Sequence, residues 1–272
     1  MTKYIKRTFS IAALSLTALV LTTMTVQTGV VQAAQVGFDI LNSTPVGSWQ
    51  LREDTNIDHK GRKSVIRIRS SMLSSEMREG QKYYWIEMVL DSFKVKKNGD
   101  RKKEGDQMVM KTLVAESSMS GDPANVMTNL RGFGTEIIMQ TGNSDPMRLT
   151  GAGGMFGSMT QAMGTEVNYD FSELGNESVT VAAGDFDTRK IQGSGVTEAK
   201  VVFKKIRVES DSIVWMSKKV PFGMVKSEGT SITNKKKSTH SSELLEFGMS
   251  GAISLITKEP QDLPSLGDMF KK

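Results

Sequence analysis

Short stretches of alternating apolar and polar residues, each closed by a cluster of turn residues, recur along most of this 272-residue sequence. In residues 49–57, a mostly apolar set of side chains alternates with a wholly polar set, the period of two that a β-strand requires. Asn98-Gly99 lies between two more stretches and predicts a type I′ hairpin turn, in which both central residues have positive φ. From Thr165 onward, further stretches follow at short, regular spacing. The sequence therefore predicts a mainly β fold, a curved antiparallel sheet that forms a half-barrel.

One region has a different pattern. Asp122-Pro123 supplies a helix N-cap and a first-turn proline, which predicts a short helix that ends near Gly132. Asp145-Pro146 repeats this signal. We therefore expect a helical insertion near residues 122–164, with its short helices lying over the concave face of the sheet.

Residues 151–164 are apolar and rich in glycine and methionine. Met155, Met159 and Met163 recur at every fourth residue, so a helix would stack them on one face beside Phe156. Three interpretations are open: a core-facing helix that plugs the sheet, an adaptable lid for an acyl chain or a partner helix, and a thioether Cu(I) site. The third lacks the histidine and cysteine ligands that usually support such a site.

The N-terminus has the pattern of an export signal. Lys3, Lys6 and Arg7 precede an apolar run at residues 11–21, and small residues lead to a cleavage site after Ala33. We predict a signal peptide over residues 1–33 and a single periplasmic domain over residues 34–272. The alternative is an uncleaved membrane anchor, which the threonines and glutamines of residues 22–32 disfavour. Without any cysteine, the chain has neither a lipid-modified N-terminus nor a disulfide.

The charge balance argues against nucleic acid as a partner. The formal net charge is +5, and removal of the three basic residues of the signal would leave +2. Such a nearly balanced surface lacks the field that binds nucleic acid. The lysine clusters at residues 94–103 and 235–237 are typical of solvated turn tips, with contact to an anionic membrane as the alternative.

Enzyme chemistry has little support. The only two histidines, His59 and His240, fall in a turn and in a polar stretch. Nucleophile-elbow, phosphate-loop and zinc-protease motifs are absent from the sequence. Asp185 and Asp187 lie beside a glycine turn, where aspartate bonds to the local backbone. We therefore predict no catalytic residue, no metal and no organic cofactor.

Several phrases resemble a known group of proteins. They are V-T-V-A-A-G-D-F-D-T at residues 179–188, W-M-S-K-K-V-P-F-G-M-V-K at 215–226 and L-L-E-F-G at 244–248, with Y-W-I-E at 84–87 and K-T-L-V at 111–114. They resemble exported bacterial proteins of the LolA/LolB-like lipoprotein-carrier half-barrel superfamily. One departure is Ala182, where the family pattern has proline. The resemblance implies a curved antiparallel sheet, helices over its concave face and an apolar cavity between them, but not the transport of lipoproteins.

These observations predict a non-enzymatic envelope protein. Its expected ligand is apolar or amphipathic, such as a lipid or a lipid-bearing partner. The alternative is a structural or assembly protein of the envelope that grips a protein partner. The residues expected to bind the ligand are Met155, Phe156, Met159, Met163, Trp85, Trp215 and Phe222.

Overall fold

The computed structural model describes residues 43–119, 135–150, 166–201 and 204–262. The predicted signal peptide, the helix expected after Asp122 and the methionine-rich residues 151–164 lie outside these ranges. The predictions on them therefore stay predictions.

The described residues form one large sheet of thirteen strands. Its order is β13-β7-β6-β5-β3-β2-β1-β12-β11-β10-β9-β8, with β4 paired to β3. Neighbouring strands are antiparallel except for β13 and β7, which are parallel. The predicted mainly β fold is confirmed. The strands are β1 (Trp49–Ile57), β2 (Lys63–Arg78), β3 (Gln81–Val95), β4 (Arg101–Lys103), β5 (Met108–Ala115), β6 (Glu136–Thr141), β7 (Met147–Thr150), β8 (Glu166–Val181), β9 (Gly184–Val201), β10 (Lys204–Met216), β11 (Met224–Thr233), β12 (Lys236–Gly248) and β13 (Gln261–Asp262).

Most connections are short turns, as the turn residues of the sequence predict. The Asp58 side chain accepts hydrogen bonds from the backbone N–H groups of Lys60 (2.8 Å) and Arg62 (2.9 Å), which closes the β1–β2 turn. The neighbouring Arg62 guanidinium lowers the pKa of Asp58 to about 2. At the β3–β4 turn, Gly99 has positive φ but Asn98 does not, so the type I′ prediction is wrong there. The loop is longer, because the Lys96 N–H bonds to the carbonyl of Asp100.

The region predicted to be a helical insertion contains two strands in its described part. Asp145-Pro146 precedes β7 rather than a helix, so that part of the prediction is wrong. Ile137 of β6 and Leu149 of β7 pair directly and bury each other's side chains. This cross-strand contact outweighs the local helix-start signal, which is a weak prior.

The sheet curves, and its concave side carries the main core. Tyr84 of β3 packs in one cluster with Ile191 of β9, although six strand spacings separate the two strands in the sheet order. A flat sheet would hold them about 28 Å apart at ~4.7–4.9 Å per spacing. We call the side that carries this cluster the inner face and the other side the outer face. The buried members of the cluster are Met72, Tyr84, Ile191, Val214, Met216, Phe222 and Met224.

A C-terminal segment, residues 250–262, covers part of the outer face. Glu87 of β3 is 1% exposed and accepts hydrogen bonds from the Ser254 hydroxyl (2.6 Å) and the Leu255 N–H (2.9 Å). Ile256 then packs against Trp85, Leu113 and Ile138. The segment ends in β13, which pairs with β7.

Helix makes up little of the described chain. Its one α-helix is α1 (Glu116–Met119), whose Met119 packs against the inner cluster. The longer helices that we expected over the concave face involve residues outside the ranges that the structure describes. Within the described ranges, no helix has the length and apolarity to cross a membrane.

Candidate functional site

The two tryptophans predicted to bind ligand lie on the outer face. Tyr84 belongs to the inner cluster, so the next residue of β3, Trp85, points to the other side. Its indole N–H donates to Glu76 (3.1 Å), and the Lys111 ammonium lies 4.9 Å from the ring centroid. The structure therefore does not bring Trp85 to the concave surface where we expected it.

Trp215 follows the same rule on β10. Val214 and Met216 belong to the inner cluster, so Trp215 between them faces outward. Its indole N–H donates to Glu177 (3.0 Å), and the ammonium groups of Lys190 and Lys226 lie 5.3 and 5.1 Å from its ring centroid. The pKa of Glu177 is lowered, mainly by its hydrogen bond with Lys190 and next by the one from the Trp215 N–H. The aromatic residues of both tryptophan motifs thus support outer-face polar networks.

Phe222 is the predicted site residue that does reach the inner cluster. It is 6% exposed and packs there with Met72, Tyr84 and Met224. Its φ of 59° is left-handed, and Gly223 follows at 76°, which makes the tight turn between β10 and β11. The other predicted site residues, Met155, Phe156, Met159 and Met163, lie outside the described residues.

A row of four methionines crosses the inner face, and the sequence analysis missed it. Met88 of β3 pairs directly with Met110 of β5, Met110 with Met139 of β6, and Met139 with Met147 of β7. Directly paired residues point to the same side of a sheet, so the four side chains are neighbours. Met88, Met110 and Met139 are half-buried, and Met147 is 42% exposed. We call these four residues the methionine row.

Part of the methionine row packs against buried residues of the inner face. Ile137 and Leu149 are buried beside it, and Met110 and Met139 pack against them. Tyr84, a member of the inner cluster, lies on the same face of β3 as Met88. A sequence signal was available, since each methionine lies two residues along its strand from another inner-face residue and therefore points to the same side. Recognising it requires the pairing register, which the sequence does not state.

Polar residues continue the same line beyond the row. Met88 pairs with Ser70 of β2, and Ser70 pairs with Gln50 of β1. Gln50 is 1% exposed, and its neighbour on the inner face of β1, Arg52, is 4% exposed. The guanidinium of Arg52 donates to the sulfur of Met224 at 3.4 Å. Burial lowers the pKa of Arg52, and the charge of Asp54 partly opposes this.

His240 occupies a second polar position. It pairs with Gly229 of β11, and its imidazole lies where a side chain on Gly229 would have to be. Burial lowers the pKa of His240, against the opposing effect of Asp54. A cavity of about 560 Å³ borders this position. The cavity lies on the outer face, because its lining includes Ile213, Glu228 and Ser241, which are paired across β10, β11 and β12.

This outer cavity is open; most of its lining residues are polar types, although the surface that they present to it is more apolar than polar, and Trp85, Trp215 and Phe222 do not contribute to it. Among the described residues, no group of three or more histidine or acidic side chains has the geometry to hold a metal ion.

Comparison with known proteins gives limited information. No protein-family model and no curated protein matches this sequence. Two solved structures are similar in part: a "putative lipoprotein" from Parabacteroides distasonis and a "putative exported protein with YmcC-like fold" from Bacteroides fragilis. The first is 14% identical, with 75% of this chain and 96% of that chain covered and a TM-score of 0.36. The second is 13% identical, with 75% and 97% covered and a TM-score of 0.36.

Proposed function

We propose that this protein is a non-enzymatic envelope protein that binds an apolar or amphipathic ligand, such as a lipid or a lipid-bearing partner, on its inner face. The methionine row is the observation that carries the proposal. Methionine is unbranched and polarizable, so adjacent methionines form a surface that adapts to varied apolar shapes. A continuous, partly exposed apolar surface on a curved sheet is a common feature of ligand sites.

The proposal includes the location and the architecture. Lys3, Lys6, Arg7 and the apolar residues 11–21 support export through a signal peptide cleaved after Ala33, into the periplasm. The curvature that joins β3 to β9 supports a half-barrel of the LolA/LolB-like kind.

Titration of the purified protein with a fluorescent fatty acid tests the proposal. Met139→Glu places a carboxylate within the methionine row, where an acyl chain would have to desolvate it. We expect its affinity to fall at least about tenfold, equivalent to about 1.4 kcal/mol. Met77→Glu is the matched control, because Met77 is 65% exposed at the β2–β3 turn. The control should bind as the wild type does.

Two outcomes would contradict the proposal: a wild-type protein that binds no fatty acid, or a Met139→Glu variant that binds as tightly as the control. Circular dichroism and a thermal melt of each variant separate loss of binding from loss of fold. A folded variant is expected, because Met139 is only half-buried.

A specific observation favours the alternative, a structural or assembly protein that grips a protein partner. Ile253 (76%) and Leu255 (48%) of the C-terminal segment, and Met249 (48%) just before it, are exposed. Exposed apolar residues this close in sequence are typical of protein contacts. If the wild type binds no fatty acid but Ile253→Asp abolishes co-purification of one envelope protein, the alternative is the better account.

A further inference from the structure

Arg52 is a buried cation that forms no ion pair with the residues that the structure describes. It lies on β1, in the middle of the sheet order, and the pairing of β1 with β12 shifts register between Leu51 and Arg52. Such β-bulges redirect side chains and are frequent beside binding sites. Arg52 forms no ion pair with any residue in the described ranges, and its Nε has no hydrogen-bond partner there. Its Nη1 donates to the sulfur of Met224, a weak acceptor.

Buried guanidinium groups are normally paired, since an unpaired charge in an apolar site is costly. Asp54 does not fill this role. Its carboxylate accepts a hydrogen bond from the Ser242 hydroxyl at 2.5 Å, and it forms no ion pair with Arg52. On the other side of Arg52, Gln50 is 1% exposed, and its Oε1 has no hydrogen-bond partner among the described residues. These two atoms, Arg52 Nε and Gln50 Oε1, therefore belong to neighbouring side chains on the inner face of β1.

The position of these groups relative to the methionine row indicates the shape of the missing partner. Gln50, Ser70 and Met88 are in direct register, and the row continues from Met88 to Met147. From β1 to β7 there are five strand spacings, about 24 Å along the sheet. A molecule with an acidic group at Arg52 would thus extend an apolar tail along the methionine row. Asp54 repels an anion, so the acidic group would lie on the Gln50 side.

We propose that Arg52, with Gln50 beside it, binds the acidic head group of an amphipathic ligand whose acyl chain lies along the methionine row. The site rests on the proposed function and specifies its ligand class as a single-chain lipid with a carboxylate or phosphate head. The planar guanidinium matches either anion with two parallel hydrogen bonds. The Oε1 of Gln50 accepts only from a donor, such as a hydroxyl of glycerol or of a monoprotonated phosphate.

Competition among three lipids with the same chain tests the site. Palmitate, 1-palmitoyl lysophosphatidic acid and the neutral 1-palmitoylglycerol displace the neutral dye Nile red from the wild type and from each variant. For the wild type, at least one acidic lipid should bind about tenfold more tightly than the neutral lipid, as charge-assisted bonds to a buried guanidinium require. Whether palmitate or the phosphate shows this preference identifies the head group.

Arg52→Met removes the charge and keeps an apolar side chain of similar length. The acid-to-neutral preference should fall to about one, while affinity for 1-palmitoylglycerol stays unchanged. The melting temperature should not decrease, because replacing an unpaired buried charge with a hydrophobic residue is neutral or stabilising. Arg67→Met is the matched control: it removes the same charge from an exposed side chain on the outer face and should keep the preference.

Arg52→Lys provides a second variant that keeps the charge. It should reduce the preference severalfold, because an ammonium lacks the guanidinium's two-pronged geometry, and it decides the question if Arg52→Met does not fold. An unchanged preference in the folded Arg52 variants would overturn the head-group site and leave the proposed function standing. Failure of all three lipids to displace the dye from the wild type would instead overturn the proposed function.

Discussion

Phe222 shows how a single residue is held in a conformation that its type disfavours. Non-glycine residues rarely have positive φ, and Phe222 has a φ of 59° while its side chain is buried in the inner cluster. Its N–H donates to the Thr44 hydroxyl at 2.7 Å. This bond ties the turn between β10 and β11 to the chain just before β1.

Thr44→Val removes the hydroxyl at nearly constant volume. The buried Phe222 N–H would then lack a partner, so we expect the free energy of unfolding to fall by about 1–3 kcal/mol. Urea denaturation measures the change. Thr55→Val, on β1, is the control and should change stability by less than about 1 kcal/mol. An equal effect of the two substitutions would show that the Thr44–Phe222 bond contributes nothing.

His240 makes the stability of the protein depend on pH. Burial lowers its pKa in the folded state, with Asp54 as the opposing charge. The unfolded chain, with a histidine pKa of about 6.5, therefore binds a proton at a higher pH than the folded protein does. The contribution of His240 to the free energy of unfolding is therefore fully present above about pH 6.5, and it decreases as the pH falls from there to the lowered pKa.

Denaturant unfolding between pH 7.5 and 5.5 checks this dependence. His240→Gln should flatten the decrease, whereas His59→Gln, in an exposed turn, should leave it as in the wild type. If His240→Gln loses stability over this range as steeply as the wild type, another group is responsible.

At the scale of elements, the C-terminal segment depends on one carboxylate. Glu87→Gln replaces one acceptor oxygen by an NH₂ group, so the hydrogen bonds from the Ser254 hydroxyl and the Leu255 N–H cannot both be kept as they are. We expect a loss of about 1–3 kcal/mol in the local stability of the segment. Faster hydrogen exchange at Leu255 would report it, with the exposed Glu79→Gln as control. Unchanged exchange would mean that the Ile256 contacts alone hold the segment.

Strand pairs in this sheet repeatedly place a ring over a glycine. Trp49 lies over Gly248, Tyr169 over Gly195 and His240 over Gly229, each directly paired across two strands. A Cβ on Gly248 would lie 2.6 Å from the Trp49 Nε1 and 3.2 Å from the carbonyl of Ser250. The absence of a side chain therefore leaves room for each ring against the neighbouring strand.

A double-mutant cycle tests this arrangement. Gly248→Ala should cost about 1–3 kcal/mol of stability through overpacking. In a Trp49→Ala background the same substitution should cost clearly less, because the closest atoms have gone, which gives an interaction energy of about 0.5–3 kcal/mol. Strictly additive effects would show that the backbone at Gly248, rather than the ring, excludes alanine.

At the scale of the whole molecule, the sequence predicted the β class and the chain of hairpins because period-two alternation and turn residues are local signals. It did not predict β6 and β7, because Asp145-Pro146 resembles a helix start. The Ile137–Leu149 contact, which favours the strands, is visible only in the folded sheet. It placed Trp85 and Trp215 in the site because aromatic residues are frequent there. Their side of the sheet depends on strand parity relative to a core that the sequence alone does not locate.

The methionine row and Arg52 escaped the sequence analysis for a related reason. Met88, Met110, Met139 and Met147 are spread over 60 residues and become neighbours only through the pairing register. Arg52 belongs to an alternating strand whose polar set looked solvent-facing. In the folded sheet, two members of that set, Gln50 and Arg52, are buried on the inner face.

Native mass spectrometry of the protein purified from the envelope of its host tests the central claim most directly. The account predicts a population with the added mass of one amphipathic molecule, which lipid extraction recovers as a single-chain acidic lipid. Met139→Glu, purified in the same way, should lack the added mass, because the carboxylate blocks the methionine row. A wild-type protein that appears only at the mass of the bare chain, with no extractable lipid, would contradict the account.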